Sequence, residues 1–391
     1  MHSVELFAGA GGLELGISKA GFRPIGIVER DRWCCDTIRE NINAGIGSVR
    51  KWPEPIESDV RVLDFRDFES KADLVSGGPP CQPFSLAGRH QADADQRDMW
   101  TEAVRAVREI KPKAFIFENV KGLTRATFNE YFSYIQHQLR YPMIEQANGE
   151  AWSDHMRRLE QHHSSSPHHD EDLVYNLLPR VLNAADYGVP QRRERVVIVG
   201  FRADLNVTWS FPAPTHSIDS LLWQQKTGEY WEKHQVASKD RQMARQFAKR
   251  ADRIDKAPKS KPWRTVRDAL VGLEEPIADP SQSQGFADHK FQPGAKSYPG
   301  HTGSPLDLPA KTLKAGVHGV PGGENMLARR NGTVRYFTVR ESARLQTFPD
   351  EFVFHGAWSE VMRQLGNAVP VELAHVVARH VAKSLKARSS Q

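Results

Sequence analysis

The chain has 391 residues, 39% hydrophobic and 26% charged; this is the balance of a globular protein, and the length calls for a large domain plus a smaller one. It contains no run of 18 apolar residues, so no membrane span is expected, and the start lacks the basic region and cleavage site of a secretory signal. Cys34, Cys35 and Cys81 are the only cysteines; they have no metal-ligand spacing and cannot form a disulfide framework, so a reducing cytoplasm and no metal are expected, while the formal charge of +5 points only weakly to nucleic acid.

In chain order, VELF (4–7) is a short apolar run that ends in a glycine turn, and LELGISKAG (13–21) has helical spacing with a glycine stop. PIGIVE (24–29) predicts a second strand, and further apolar runs follow at ADLVSGG (72–78), AFIFENV (114–120) and RVVIVGF (195–201). Between them, MWTEAVRAVREI (99–110) places Trp100, Val104, Val107 and Ile110 on one helical face. Strands alternating with helices predict an α/β fold with an open, mostly parallel sheet. Residues 146–172 break the rhythm; QHHSSSPHHDED (161–172) is polar and histidine-rich and reads as a solvated surface insertion. Residues 206–335 are rich in Pro, Gly, Lys and Arg and read as a second, irregular domain. Helical patterns return at 339–352 and 361–385, with Pro370 in a first helical turn after a Gly366-Asn367 turn.

Two segments carry chemistry. FAGAGGLELG (7–16) follows a strand and opens a helix, so its backbone can approach a ligand closely. It has neither the Lys-Ser/Thr pair of a phosphate loop nor the dinucleotide glycine spacing. Glu29 ends the next strand, where nucleotide-binding α/β folds keep a carboxylate for ribose hydroxyls. Asp59 follows in a position suited to an adenine amino group; both carboxylates are equally readable as surface residues. SGGPPCQPFS (76–85) fixes Cys81 on a stiff loop after an apolar run. Such flanks are poor core material, whereas Cys34 and Cys35 lie in a helix-like stretch and read as structural.

VELFAGAGGLELG, SGGPPCQPFS, FIFENVKGL, QRRERVVIVGFR, RESARLQTFPD and QLGNAVP resemble, in this order, the cytosine-carbon-5 DNA methyltransferases of bacterial restriction–modification systems. The match covers residues 1–202 and 336–380. The resemblance implies a Rossmann-like methyltransferase fold that uses S-adenosyl-L-methionine, with a catalytic domain over 1–205 and 336–391 and a target-recognition domain over 206–335. It implies Cys81 as the nucleophile that adds to cytosine carbon-6, so that carbon-5 can attack the methyl group. Glu118 would hold the ring at nitrogen-3 and the amino group, and Arg193 and Arg195 would bind the base carbonyl and orient Glu118. Asn119 and Val120 would shape that pocket. Phe7, Gly9, Gly11, Glu29, Asp59 and Pro80 would hold the cofactor, with Gly366, Asn367 and Ala368 closing the site from the far end of the chain. The helical 370–385 would pack back near the glycine loop.

Within 206–335, residues 239–267 carry eleven basic residues against three acidic ones. Arg241, Arg245, Lys249 and Arg253 recur every four residues as one stripe of a helix, suited to duplex phosphates. Met243, Phe247 and Ile254 would lie on another face. The expectation is a monomer acting on double-stranded DNA in the bacterial cytoplasm, with a cognate nuclease as its partner in the same system. An RNA cytosine methyltransferase on the same scaffold and a catalytically silent DNA-binding homologue are the alternatives.

Overall fold

The alternating apolar runs of the first two hundred residues assemble into one seven-stranded sheet. The computed structural model describes residues 1–80, 99–165, 173–277, 285–299, 301–315 and 325–389. In chain order come β1 (His2–Leu6), α1 (Gly12–Lys19), β2 (Arg23–Glu29), α2 (Arg32–Asn43), β3 (Ile56–Glu57), β4 (Leu74–Gly77), α3 (Trp100–Ile110), β5 (Ala114–Val120), α4 (Asn129–Arg140), α5 (Trp152–Ser165), β6 (Tyr175–Asn183) and β7 (Glu194–Arg202). The strand order is β3-β2-β1-β4-β5-β7-β6. The first five are parallel, and β7 runs antiparallel to both β5 and β6.

Burial follows the two-residue period of the strands. Phe115 and Phe117 of β5 face one core with Trp100, Val104 and Val107 of α3, the face expected of that helix. Ala114 and Ile116 face the other, with Leu13 and Ile17 of α1. A sheet covered on both faces explains why its central strands read as unbroken apolar runs. β6 (YNLLPRVLN) was not anticipated: Pro179 cannot donate to a ladder, which argues against a central strand, but β6 is the sheet edge and pairs only with β7.

Gln161, His163 and Ser164 are exposed, as expected of the histidine-rich stretch, but the residues before it are built into the fold. Residues 152–165 form α5, whose Leu159 is fully buried beside Tyr134, Tyr141 and Val174. His155 is also buried, with its two ring nitrogens 2.8 Å from the Tyr134 hydroxyl and the Ile144 carbonyl. The rest of the histidine-rich stretch, 166–172, lies outside the described residues. Among the described residues no group of three His, Cys, Asp or Glu is placed to hold a metal, and no helix is long and apolar enough to cross a membrane.

Past β7 the chain stays on the catalytic core, where Val207, Trp209 and Phe211 pack. Short elements follow: β8 (His216–Ser217), α6 (Ile218–Thr227), α7 (Glu229–Lys233), α8 (Ala248–Asp252), β9 (Lys261–Pro262), α9 (Val266–Leu270), β10 (Ser304–Pro305), β11 (Met326–Ala328) and β12 (Val334–Tyr336). The single helix expected from the four-residue spacing of Arg241, Arg245, Lys249 and Arg253 is absent. Residues 238–240 and 245–247 are single 3-10 turns, Arg241 and Ala244 have extended backbone, and only 248–252 is α-helical. Tertiary packing overrides the local pattern: Met243, Phe247 and Ile254 turn inward onto Leu221, Leu222 and Trp231. The four basic residues remain exposed.

The chain ends in α10 (Val339–Leu345), α11 (Trp358–Asn367) and α12 (Val371–Ser389). Gly366 and Asn367 are the last residues of α11 rather than a turn; the break falls at Ala368–Val369, and the Pro370 carbonyl accepts from Ala374 N at 3.0 Å. α12 packs against α1. A Cβ on Gly12 would meet the Val369 carbonyl at 2.6 Å, and one on Gly16 would meet Ala374 Cβ at 2.4 Å and His375 N at 2.5 Å. Gly16→Val should therefore push the two helices apart. It should lower the urea midpoint by an amount equivalent to about 1–3 kcal/mol and weaken cofactor binding; an unchanged midpoint would show that the contact yields without cost.

Candidate active site

Parallel strands bring their C-terminal ends to one edge, and the order reverses between β1 and β4, the crevice where open α/β sheets bind ligands. The glycine loop after β1 lies there, with Phe7 at φ 55°, Gly9 at 54° and Gly11 at 79°. Phe7 holds a left-handed conformation that a bulky side chain rarely adopts. Gly9 N donates to Glu29 Oε2 at 2.8 Å, and the amides of Arg30 and Asp31 donate to Oε1 at 2.8 and 2.7 Å. The carboxylate at the end of β2 is thereby fixed beside the loop.

A cavity of about 600 Å³ opens at this crevice, within the range of small-molecule sites. Its walls include Phe7, Gly9, Glu29, Asp59 and Pro80, with Gly366, Asn367 and Ala368 from the far end of the chain. Gly11 is not among them. It is the N-cap of α1 and packs toward Trp52, so its role is the turn itself. Asp59 is clasped by Arg61 at 2.6 Å and reached by Arg30 at 3.3 Å. The hydrogen bond from Arg61 outweighs partial desolvation and holds this carboxyl well below the usual carboxylate range.

The opposite wall carries Glu118, Asn119, Val120, Arg193 and Arg195. Glu118 pairs with Val197 across the antiparallel β5–β7 ladder, so Arg195, two residues earlier on β7, is its diagonal neighbour on the same face. Arg195 Nε lies 2.8 Å from Glu118 Oε1, with both side chains about nine-tenths buried. Arg193 does not pair with Glu118. Its guanidinium, 1% exposed, donates to the Leu313 carbonyl at 3.0 Å and the Gly366 carbonyl at 2.8 Å. Burial pulls the Arg193 pKa far below the arginine range, with Arg195 adding to the effect and Glu118 opposing it. Of the two arginines expected to orient Glu118, Arg195 does so, and Arg193 braces the walls.

Cys81 lies outside the described residues, one peptide bond beyond Pro80. The approach to it is held: Asn119 Nδ2 donates to the Pro79 carbonyl at 2.8 Å, and a Cβ on Gly78 would fall 3.5 Å from Glu118 Oε2. Met99 N closes back on the Pro80 carbonyl at 3.4 Å. Cys34 and Cys35 are buried in α2, and burial pushes both thiols up out of the reactive range. The sequence reading missed several wall residues. Glu5 and Leu13 lie among the apolar neighbours of the glycine segment, and Cys34 shares α2 with residues read as structural. Arg363 reaches Asp31 at 2.9 Å from the other end of the chain, a contact with no local sequence signal. A carboxylate inside the apolar run VELF was the one visible clue to Glu5.

This fold and cavity define an enzyme that holds a nucleoside-bearing cofactor beside a buried carboxylate–guanidinium pair. The C-5 cytosine-specific DNA methylase family description matches residues 1–141 and 165–383. The chain is similar to the Type II methyltransferase M.PspPI of Psychrobacter sp. (strain TA137), 33% identical over 98% of this chain and 79% of that one. It is also similar to the Type II methyltransferase M.Eco47II of Escherichia coli, 32% identical over 97% and 78%. Among solved structures, a putative DNA modification methyltransferase encoded within an E. coli prophage superposes with a TM-score of 0.59 at 21% identity, covering 99% of each chain. The chain belongs to the C-5 cytosine-specific DNA methylases: it is a DNA cytosine-5-methyltransferase that uses S-adenosylmethionine.

The cavity fits that cofactor. Glu29 retains accepting capacity for ribose hydroxyls, and the left-handed backbone at Phe7 and Gly9 leaves the loop open to close approach. Glu118→Gln replaces a charged partner worth roughly 1.5–3 kcal/mol, predicting a 10- to 150-fold lower single-turnover rate. Arg195→Gln should cost at least as much, because it strands a buried carboxylate. The double variant should lose less than the product of the two; multiplicative losses would show that the pair does not act as a unit.

Proposed function

We propose that this enzyme is the modification half of a restriction–modification system, methylating one cytosine in a specific duplex sequence with Cys81 as nucleophile. The Glu118–Arg195 ion pair carries this reading: it lies in the cavity wall beside Gly78, three residues before Cys81. The reacting base must leave the stack to reach that wall, at a cost of a few kcal/mol. Glu118 then holds nitrogen-3 and the amino group, and Arg195 fixes the Glu118 carboxylate and meets the base carbonyl. Cys81 adds as thiolate to carbon-6, which makes carbon-5 nucleophilic. S-adenosylmethionine, when bound, supplies the electrophilic methyl group. Loss of the carbon-5 proton to a base and departure of the Cys81 thiolate restore the ring. The intact pair argues against a catalytically silent homologue.

Sequence recognition falls to the region after β7. Residues 206–213 belong to the catalytic core by their packing, so the unit that reads DNA spans about 216–335. Its return strap, 310–315, is tied to the core through backbone groups: Ala310 N and O pair with Pro190 O and Arg192 N at 2.9 and 2.8 Å. Backbone ties survive a change of side chains. Exchanging 216–335 for the matching region of a relative should move methylation to that relative's site. Retention of the original site would place specificity elsewhere.

Methylation mapping of a plasmid expressed with this protein tests activity, base and target together. Cys81→Ser should nearly abolish transfer while cofactor binding survives, and 5-fluorocytosine at the target should trap an adduct on Cys81. Full turnover by the serine variant would remove Cys81 from the mechanism. The exposed Arg241, Arg245, Lys249 and Arg253 are assigned to phosphates. Neutralising all four should weaken binding to every duplex alike and reduce the slope of log K against log salt by up to about 3.6, with the methylated sequence unchanged.

A further inference from the structure

Beneath the glycine loop lie two carboxyl groups that the methyl-transfer chemistry does not use. Glu5 of β1 is 1% exposed and Glu14 of α1 is 0% exposed. Ser3 and Glu5 alternate onto one face of β1, and Ser3 Oγ lies 3.3 Å from the Glu14 carboxyl, so two buried carboxyls stand close together with no cationic partner among the described residues, which disfavours a second negative charge on the pair. Glu14 is further held by Ser18 Oγ at 3.1 Å and Ser3 Oγ at 3.3 Å, and Trp52 Nε1 donates to the Ser18 hydroxyl at 3.0 Å. Glu5 lines the cofactor cavity, and its Oε2 has no hydrogen-bond partner among the described residues.

The surrounding charges give no relief to a second negative charge. From β2, Glu29 acts on Glu5 with the same sign. From β4, the neighbour in register is Ser76, an uncharged hydroxyl. α1 itself adds only Lys19, exposed in its last turn. α12 brings Glu372 and His375 against the back of α1 at Gly16, and burial lowers the His375 pKa so that the ring is neutral near pH 7. Desolvation raises Glu5 well above the carboxylate range, reinforced by Glu14 and Glu29. Desolvation also raises Glu14, to about 8, against the pull of its hydroxyl donors.

We infer that Glu5 and Glu14 form a proton-sharing pair that makes cofactor binding proton-linked, favouring the cationic methyl donor over its uncharged-sulfur product. A positive charge entering the cavity beside Glu5 stabilises the doubly ionised pair, and the shared proton leaves through the cavity to buffer. The product lacks the sulfonium charge and draws out less of the proton. Glu14 is a positioning residue: it sets the charge on Glu5 without reaching the cavity wall. The inference rests on this cavity being the cofactor site.

Isothermal titration in phosphate and in Tris, buffers of different ionisation enthalpy, reads the proton directly. S-adenosylmethionine should release a measurable fraction of a proton at pH 7, and S-adenosylhomocysteine less. The dissociation constant for S-adenosylmethionine should fall by up to about tenfold per pH unit between pH 6 and 8. In Glu14→Gln a neutral amide replaces the second carboxyl while burial and Glu29 still raise Glu5, so proton release should fall and the affinity should vary less with pH across that range. Ser3→Ala, a milder change, removes one donor to ionised Glu14 and should move the rise in affinity to higher pH. The folded chain gives an independent check. Because folding raises the pKa of the pair, its contribution to stability is fully present below about pH 4.3 and is lost as pH rises toward 8. Melting temperature should therefore decline over that window in the native chain and less so in Glu14→Gln. Binding without buffer-dependent heat in the native protein, or equal proton release in Glu14→Gln, would overturn the pair's role. Failure of the native protein to bind either ligand would instead overturn the cofactor site itself.

Discussion

A single buried guanidinium fixes how this enzyme is put together. Arg193, the residue before β7, donates to one carbonyl from the 310–315 strap and one from the end of α11, residues 120 and 173 positions away. Burying such a cation costs several kcal/mol of desolvation, which these two bonds offset in part, while its Nε finds no acceptor among the described residues. Gln191 extends the tie, accepting from Leu313 N and donating to the Leu345 carbonyl and Gln346 Oε1, while Gln346 donates to the carbonyls of Leu365 and Ala368. The catalytic wall, the strap from the recognition region and the cover of the cofactor cavity are thus joined through buried polar groups with no easy alternative partners. Displacing one member strands the others, which keeps Gly366 and Ala368 in the cavity wall beside Glu118.

Carboxylates at the cavity differ in charge because their partners differ. Asp59 has Arg61 and Arg30 and stays ionised. Asp31 is pulled down by Arg363 and the Cys34 amide despite the upward push of burial. Glu118 has Arg195, whereas Glu5 has only other carboxyl groups near it. The cavity therefore presents cation-paired carboxylates at Asp31, Asp59 and Glu118, and at Glu5 a carboxyl without a cationic partner among the described residues.

The catalytic core was largely legible in the sequence because its signals are local. Strands buried on both faces print as apolar runs, and α3 prints its buried face in the spacing of Trp100, Val104, Val107 and Ile110. Glu29 was readable since it ends such a run at the ligand-binding edge of the sheet, whereas Glu118 was reached only through the family resemblance. The misreadings occurred where distant packing decides. Arg241, Arg245, Lys249 and Arg253 have helical spacing, yet the chain bends so that Met243 and Phe247 reach a small core. β6 went unread, and its proline is tolerated because an edge strand does not need the missing donor. Arg193 resembled Arg195 in the sequence, and only the strap at Leu313 shows that it serves the scaffold.

The packing of α12 on α1 has a consequence for the order in which the enzyme comes into being. The glycine loop is synthesised before Gly366–Ala368, which complete its cavity and follow about 350 residues later. At ordinary ribosomal rates that interval is roughly 20 to 70 seconds. Throughout it, Gly12 and Gly16 present an uncovered groove where α12 will sit. Until the chain from α11 into α12 has been made, the loop has no closed chamber around it, so the cavity is completed abruptly by that segment rather than built up gradually along the chain.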